Sequence, residues 1–122
     1  MLNEKHRYYG KTKCITLDNL KNIFTSQFFE YLDIVILFGS RARGNFHERS
    51  DYDFAILCKE NNDEAWGIIS KVWVDIGSAL KLDEVDYDVI DLSTTTPEMK
   101  NSINNGYIVL KGKNNDISRI LG

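Results

Sequence analysis

Two short segments of the chain carry residues that could bind phosphate and a metal ion. The segment GSRARG at 39–44 follows an apolar run, and the segment SDYD at 50–53 begins the next one. Glycine permits close backbone approach, and serine hydroxyl and arginine guanidinium groups can hold phosphate oxygens. Alternate aspartates on a strand point the same way, so Asp51 and Asp53 could serve one site. The pattern predicts chemistry on a nucleotide.

The two aspartates are candidate ligands for a hard divalent cation. They would lie about 7 Å apart along a strand that rises near 3.3 Å per residue. Oxygen-only ligands favour Mg²⁺ or Mn²⁺. An Asp-x-Asp pair is also typical of a solvated turn at a strand end. The apolar run at 54–57 argues against that alternative, because it draws Asp53 toward the interior, where an unpaired charge is costly.

A third carboxylate should come from a neighbouring strand, which the pattern predicts at Val85–Leu92. Asp86 and Asp88 share one face of that strand, and Asp91 points to the other. Asp88 lies nearer the middle of the strand. We therefore predict Asp88 as the third metal ligand, able also to accept a proton from an attacking hydroxyl.

The glycine-serine segment is the predicted phosphate site. Gly39 and Ser40 end the first strand and open a short helix, an arrangement that aims backbone N–H groups at a phosphate. Ser40 adds a hydroxyl group, and Arg43 adds a positively charged guanidinium group that could donate to a phosphate oxygen. Between positions 41 and 49 there are three arginines and one glutamate, which suits a triphosphate. His47 is interpreted as an exposed loop residue, with a phosphate contact as the alternative.

Composition narrows the class of protein. With 122 residues the chain is predicted to form one domain, with residues 1–16 as an irregular extension. The net charge of −3 argues against a general nucleic-acid binder. Cys14 and Cys58 lack the spacing of a zinc site. No signal peptide or membrane span is recognisable, so we expect a cytoplasmic protein without a membrane partner.

Hydrophobic periodicity predicts a fold of the α/β (α+β) class, a small mixed sheet covered mainly by the helices near the amino terminus and the centre. The order of the strands does not follow from periodicity. The predicted helices cover 18–32, behind a cap at Thr16 or Asp18, 63–81, behind Asn62 or Asp63, and 97–106, behind Thr96; the predicted strands cover 34–38, 52–58, 85–92 and 107–110. Trp66 and Trp73 are expected to pack against the sheet.

These motifs together resemble the minimal nucleotidyltransferases (MNT) of the DNA polymerase β superfamily, over roughly residues 18 to 110. The resemblance implies the nucleotidyltransferase fold and in-line attack on the α-phosphate of a nucleoside triphosphate, with release of pyrophosphate. It assigns roles to six residues of this chain: Asp51, Asp53 and Asp88 would hold two Mg²⁺ ions, Gly39 and Ser40 would grip the triphosphate, and Arg43 would contact a phosphate. The bulky, basic segment at 45–49 departs from the small, acidic loop common in the family.

The resemblance also suggests an acceptor. Many similar proteins are antitoxins that transfer AMP from ATP to a tyrosine of a partner HEPN toxin, and the short chain favours an acceptor site completed by a partner protein. Two alternatives stay open: a non-catalytic antitoxin that neutralises its partner by binding, and transfer to a small molecule such as an aminoglycoside. The nucleotide preference, the number of nucleotides transferred and the choice between homo- and hetero-oligomer are also open.

Overall fold

The structure, a computed structural model, describes residues 13–44, 50–59 and 65–122, without the side chains of residues 65–68. Predictions on other residues lie outside that description, namely those for residues 1–12, His47, the helix cap at Asn62 or Asp63 and the side chain of Trp66. No helix within the described ranges is long and apolar enough to cross a membrane.

A four-stranded mixed sheet forms the centre of the fold. Its strands are β1 (Leu32–Phe38), β2 (Tyr52–Cys58), β3 (Tyr87–Asp91) and β4 (Tyr107–Lys111), in the order β3-β2-β1-β4. β1 pairs antiparallel with β2 and β4, and β2 pairs parallel with β3. The unbroken apolar runs became the two central strands, as expected for strands covered on both faces. The predicted fold class is confirmed.

Five α-helices lie in the described part of the chain: α1 (Leu17–Phe24), α2 (Ser40–Arg43), α3 (Ala65–Leu80), α4 (Pro97–Asn104) and α5 (Asn114–Leu121). Two 3₁₀ turns occupy Gln27–Phe29 and Leu92–Thr94. α3 provides the crossover that a parallel pair such as β2 and β3 requires. α4 begins as predicted, because the Thr96 hydroxyl accepts a hydrogen bond from the Met99 N–H and proline occupies the first turn.

The first helix is shorter than its periodicity predicted. It begins behind the Thr16 cap and ends at Phe24 rather than near Leu32. The Thr25 hydroxyl donates to the Lys21 carbonyl at 2.7 Å, and the Ser26 hydroxyl donates to the Ile23 carbonyl. These bonds satisfy carbonyls at the helix end. The chain then turns, and Leu32 belongs to β1.

The sheet has a core on each face. α1 and α3 cover one face, with a core that includes Phe24, Phe54, Val72 and Ile76. α4 and α5 cover the other face, with a core that includes Ile36, Ile103, Ile117 and Leu121. The prediction that amino-terminal and central helices provide most of the cover was incomplete, since α5 was not predicted. Trp73 packs against the Tyr87 ring at 5.4 Å between centroids, as expected.

The segment before α1 has no regular secondary structure at residues 13–16 but is fixed to the sheet. The Tyr52 hydroxyl accepts a hydrogen bond from the Ile15 N–H at 2.9 Å and donates one to the Lys13 carbonyl at 2.8 Å. The Lys13 ammonium group donates to the Leu80 carbonyl at the end of α3. This segment therefore packs on the same core as α1 and α3.

Candidate active site

One row of directly paired residues crosses the sheet and contains two of the predicted metal ligands. Asp53 on β2 lies opposite Asp88 on β3. On its other side Asp53 lies opposite Phe38 of β1, and Phe38 lies opposite Tyr107 of β4. Neighbouring strands are about 4.8 Å apart, so the Asp53 and Asp88 carboxylates are immediate neighbours.

Strand alternation places these carboxylates on the face covered by α4 and α5. Tyr52 and Phe54 belong to the core on the α1 and α3 face, whereas Ala55 belongs to the other core. Asp51 and Asp53 share the parity of Ala55. On β3, Tyr87 and Val89 point to the α1 and α3 face, which leaves Asp88 on the same side as Asp53. Asp88 therefore lies on the same face as Asp53, and its role as a metal ligand stays a prediction.

Burial and neighbouring negative charges raise the pKa of Asp53 and Asp51. Burial raises the pKa of the Asp53 carboxyl to about 6, and the negative charges of Asp88 and Asp51 add to the effect, while Arg43 opposes it. Burial also raises the pKa of Asp51, helped by Asp86 and Asp88 and opposed by Arg41. Asp51, Asp53 and Asp88 therefore form one electrostatic cluster with an excess of negative charge.

The three acidic residues of the 85–92 segment have different surroundings. Asp88 is exposed, and one of its carboxylate oxygens accepts a hydrogen bond from the Val89 N–H at 3.0 Å. Asp86 precedes β3, and its carboxylate accepts from the Asp83 N–H at 3.2 Å. Asp91 accepts from the Ser93 N–H and hydroxyl and so caps a 3₁₀ turn. Of the three, Asp88 alone lies directly opposite Asp53.

Gly39 brings the phosphate segment against the carboxylates. Its φ of 77° lies in the region that favours glycine. A β-carbon at this position would collide with a carboxylate oxygen of Asp53. Two features therefore require glycine at position 39, namely the positive φ of the turn and the packing of the Asp53 carboxylate.

Ser40 and Arg43 begin and end the short helix α2, as the sequence predicted for the residues after Gly39. The Ala42 and Arg43 N–H groups both donate to the Gly39 carbonyl at 3.1 Å. The stem of Arg43 packs over Gly106, where a β-carbon would lie 2.8 Å from the Arg43 Cγ. Arg43 is exposed and is the cation that lowers the pKa of Asp53. It thus lies between β4 and the carboxylates.

The carboxylates fit a divalent cation in chemistry and charge, since they are hard oxygen ligands whose mutual repulsion a cation would relieve. Within the described ranges, however, no three acidic, histidine or cysteine side chains are close enough together to bind one ion. Asp53 and Asp88 already lie side by side. One or two carboxylates, with water and substrate phosphates, are enough to hold Mg²⁺.

The sequence predicted a phosphate contact for Arg43 but assigned no role to Arg41, the other arginine of α2. Arg43 is exposed, as predicted for a phosphate contact, whereas Arg41 is only 8% exposed. The Arg41 Nε donates to the Ser50 carbonyl at 2.8 Å, and its guanidinium lies over the Tyr52 ring. Arg41 and Arg43 lie in the same charged motif. The sequence therefore gave no signal that Arg41 would be buried and Arg43 exposed, apart from the strand alternation that turns Tyr52 toward the core.

Comparison with known proteins agrees with this geometry. Residues 18–116 match the family model described as polymerase beta, nucleotidyltransferase. A curated relative, protein adenylyltransferase MntA of Aphanizomenon flos-aquae (strain 2012/KM1/D3), is 35% identical over 71 residues. The matched region spans 52% of this chain and 45% of that relative, so the chain matches about half of its length.

Solved structures share the fold. A chain in the crystal structure of a toxin-antitoxin with AMP-PNP superposes with a TM-score of 0.61 and 23% identity, over 88% of this chain and 82% of that one. A chain in the structure of the tri-AMPylated Shewanella oneidensis HEPN toxin in complex with MNT antitoxin gives 0.56 and 21%, over 87% and 81%. At these identities the likeness shows the fold alone. With the family match over residues 18–116, the chain belongs to the polymerase beta nucleotidyltransferase family.

Proposed function

We propose that this chain is a metal-dependent nucleotidyltransferase that moves AMP from ATP to a tyrosine hydroxyl of a partner HEPN toxin, and so acts as an antitoxin. The observation that carries the transferase part is the placement of Asp53 between Gly39 and Asp88. It joins the phosphate segment to the carboxylates in one site. The acceptor is supported by the relative named protein adenylyltransferase and by the fold shared with an AMPylated HEPN toxin complex.

In this proposal the residues divide into two groups. The Ser40 hydroxyl and the Arg43 guanidinium bind phosphate oxygens, while Gly39 allows the triphosphate to approach the backbone. Asp51, Asp53 and Asp88 hold Mg²⁺, or Mn²⁺ in its place. When bound, the metal neutralises phosphate charge and aligns the attacking and leaving oxygens.

The transfer itself replaces a phosphoanhydride bond of ATP with a phosphate ester bond to the acceptor. The acceptor oxygen forms a bond to the α-phosphorus, and the bond from that phosphorus to the bridging oxygen of pyrophosphate breaks. The hydroxyl proton passes to a carboxylate, and Asp88 suits this role because it is exposed at the edge strand β3. The protein mainly positions charge.

A catalytic antitoxin should neutralise more than its own molar amount of toxin. The test mixes the proposed partner HEPN toxin with one-tenth of its molar amount of the chain, with ATP and Mg²⁺, and follows ribonuclease activity. We expect complete loss of that activity over time. A loss limited to one-tenth would contradict catalysis.

A second candidate is a non-catalytic antitoxin that neutralises its partner by binding. The two candidates differ in their response to removing the metal ligands. The double substitution Asp51→Asn with Asp53→Asn should abolish neutralisation by an enzyme and preserve neutralisation by a binding module.

A further inference from the structure

The side chain of Arg41 connects the segment at 39–44 to the segment at 50–53. Arg41 belongs to α2, and its side chain is buried. Its Nε donates to the Ser50 carbonyl at 2.8 Å, its Nη1 lies 3.4 Å from the Tyr52 hydroxyl, and its guanidinium carbon lies 4.4 Å from the centroid of the Tyr52 ring. Ser50 and Tyr52 are the two neighbours of Asp51. One side chain of the phosphate segment therefore contacts the backbone before a predicted metal ligand, at Ser50, and the side chain after it, at Tyr52.

The direction of Arg41 differs from that of the catalytic groups. Tyr52 points into the core on the α1 and α3 face, whereas Asp51 and Asp53 point to the opposite face. Because the guanidinium lies over the Tyr52 ring, it is on the far side of the sheet from the paired carboxylates. The positive charge of Arg41 acts on Asp51. The contacts of its side chain are to Ser50 and Tyr52, so Arg41 can also influence the reaction through the position of β2.

The chemistry of this contact is specific to arginine. A buried cation is costly unless it is hydrogen-bonded, and a planar guanidinium can donate to a carbonyl while it stacks on an aromatic ring. Lysine retains the positive charge but lacks the planar guanidinium group. The helix α2 has only four residues, so its own hydrogen bonds do little to fix its position. The Arg41 contacts join it to the start of β2 across nine positions of sequence.

We propose that Arg41 is a positioning residue that holds the Gly39–Arg43 segment and the Asp51–Asp53 segment at the separation that transfer requires. This inference rests on the proposed function and adds a residue to it. A misplacement of about 1 Å between groups that act together can cost about 100-fold in rate. Loss of Arg41 should therefore lower kcat, while the groups that bind phosphate remain present.

The experiment compares Arg41→Met and Arg41→Lys with the matched variant Arg43→Met on the same helix. For each, kcat and the KM for ATP are measured in AMP transfer to the partner toxin. Unfolding curves give the folded fraction, to which the rates are normalised. We expect Arg41→Met to lower kcat at least tenfold with KM changed by less than about twofold. Arg43→Met should show the reverse, a raised KM with a smaller loss of kcat.

A second readout does not depend on the acceptor. Binding of AMP-PNP is measured with and without Mg²⁺, and wild type is expected to bind more tightly with the metal. Arg41→Met should keep the metal-free affinity and lose most of that enhancement. If wild type binds AMP-PNP but transfers nothing, the proposed acceptor is wrong, and the metal enhancement still tests Arg41.

Three results would overturn the inference. One is a raised KM with unchanged kcat in Arg41→Met, which would make Arg41 a phosphate ligand. Another is unchanged kcat and unchanged metal enhancement in a folded variant. If Arg41→Met does not fold, Arg41→Lys decides the question, because it lacks the Nε bond to Ser50 but keeps the charge. The third overturning result would be wild-type kinetics in Arg41→Lys.

Discussion

The Asp53 carboxylate lies between the Asp88 carboxylate and the bare α-carbon of Gly39. Asp88 faces it across a parallel strand pair, and Gly39 ends the strand on its other side. This relationship places a like charge on one side of Asp53 and the phosphate segment on the other. Together with burial, the like charge of Asp88 raises the pKa of Asp53, and the Asp53 carboxylate leaves no room for a β-carbon at position 39.

The first prediction concerns Asp53→Asn in metal-free protein. The pKa of Asp53 is raised from its ordinary 3.8 to about 6 in the fold, so the folded state binds the proton more tightly than the unfolded chain. The stability from this carboxyl is fully present below pH 3.8 and is lost as the pH rises through 6. At pH 7 Asp53→Asn should raise the free energy of unfolding by about 1 kcal/mol, a value reduced for partial exposure.

Urea unfolding at pH 7 and at pH 3.5 checks this sign. The gain from Asp53→Asn should disappear at the lower pH, where both states of wild type carry the proton. Mg²⁺ should raise the melting temperature of wild type and have little effect on the variant. A variant less stable than wild type at pH 7 without metal would contradict the charge cluster.

The second prediction separates the effect of backbone strain at Gly39 from the effect of a side-chain contact with Asp53. Gly39→Ala places a methyl group against the Asp53 carboxylate and strains a φ of 77°. Gly44→Ala strains a similar φ of 79° but meets nothing within 4 Å. Both variants should lose about 1 kcal/mol of stability from strain. Gly39→Ala alone should lower the transfer rate by about 100-fold; equal rates for the two variants would remove Asp53 packing as the reason for the glycine.

The third prediction uses Gly106 to move Arg43 without deleting it. In Gly106→Ala the new β-carbon would lie 2.8 Å from the Arg43 Cγ, so the arginine stem has to shift. If Arg43 binds a phosphate of ATP, the KM for ATP should rise about threefold to tenfold, the range for one weakened charged hydrogen bond. In the background of Arg43→Ala, Gly106→Ala should have no further effect on KM. An independent effect in that background would show that Gly106 acts by another route.

The fourth prediction concerns the segment at 13–15. Tyr52→Phe removes the hydroxyl that bonds the Ile15 N–H and the Lys13 carbonyl. The free energy of unfolding should fall by about 1–2 kcal/mol, because backbone groups of this segment lose a partner. Tyr31→Phe is the matched control, since its hydroxyl donates to the side chain of Asp75, which also pairs with Lys71, rather than to backbone groups of the 13–15 segment. A loss no larger in Tyr52→Phe than in Tyr31→Phe would argue against this anchor.

Part of the arrangement around the candidate site could be predicted from the sequence. Local parity grouped Asp88 with Asp86 and separated both from Asp91, because side chains alternate along a strand. The apolar runs that became β1 and β2 needed no tertiary information either, since burial on both faces leaves an unbroken hydrophobic pattern. The pairing of Asp53 with Asp88 required the strand order, which periodicity does not contain.

Helix ends and the last helix were harder to predict for physical reasons. The apolar positions at Phe28 and Leu32 continued the α1 pattern, yet Phe28 is 54% exposed beyond the helix end. The hydroxyls of Thr25 and Ser26 end the helix through local bonds that hydrophobic spacing does not register. α5 is mostly polar and buries mainly Ile117 and Leu121. The burial of Arg41 likewise depends on tertiary contacts, and the local sequence does not show that it differs in exposure from Arg43.

The most direct test of the central claim follows the α-phosphate of ATP into the partner. The chain is incubated with ATP labelled at that phosphate, Mg²⁺ and the proposed partner HEPN toxin, beside Asp53→Asn and a sample with the metal chelated. The account predicts label on a toxin tyrosine with wild type and at least a thousandfold less in both controls. Absence of label with folded wild type and metal present, or equal labelling by Asp53→Asn, would contradict it.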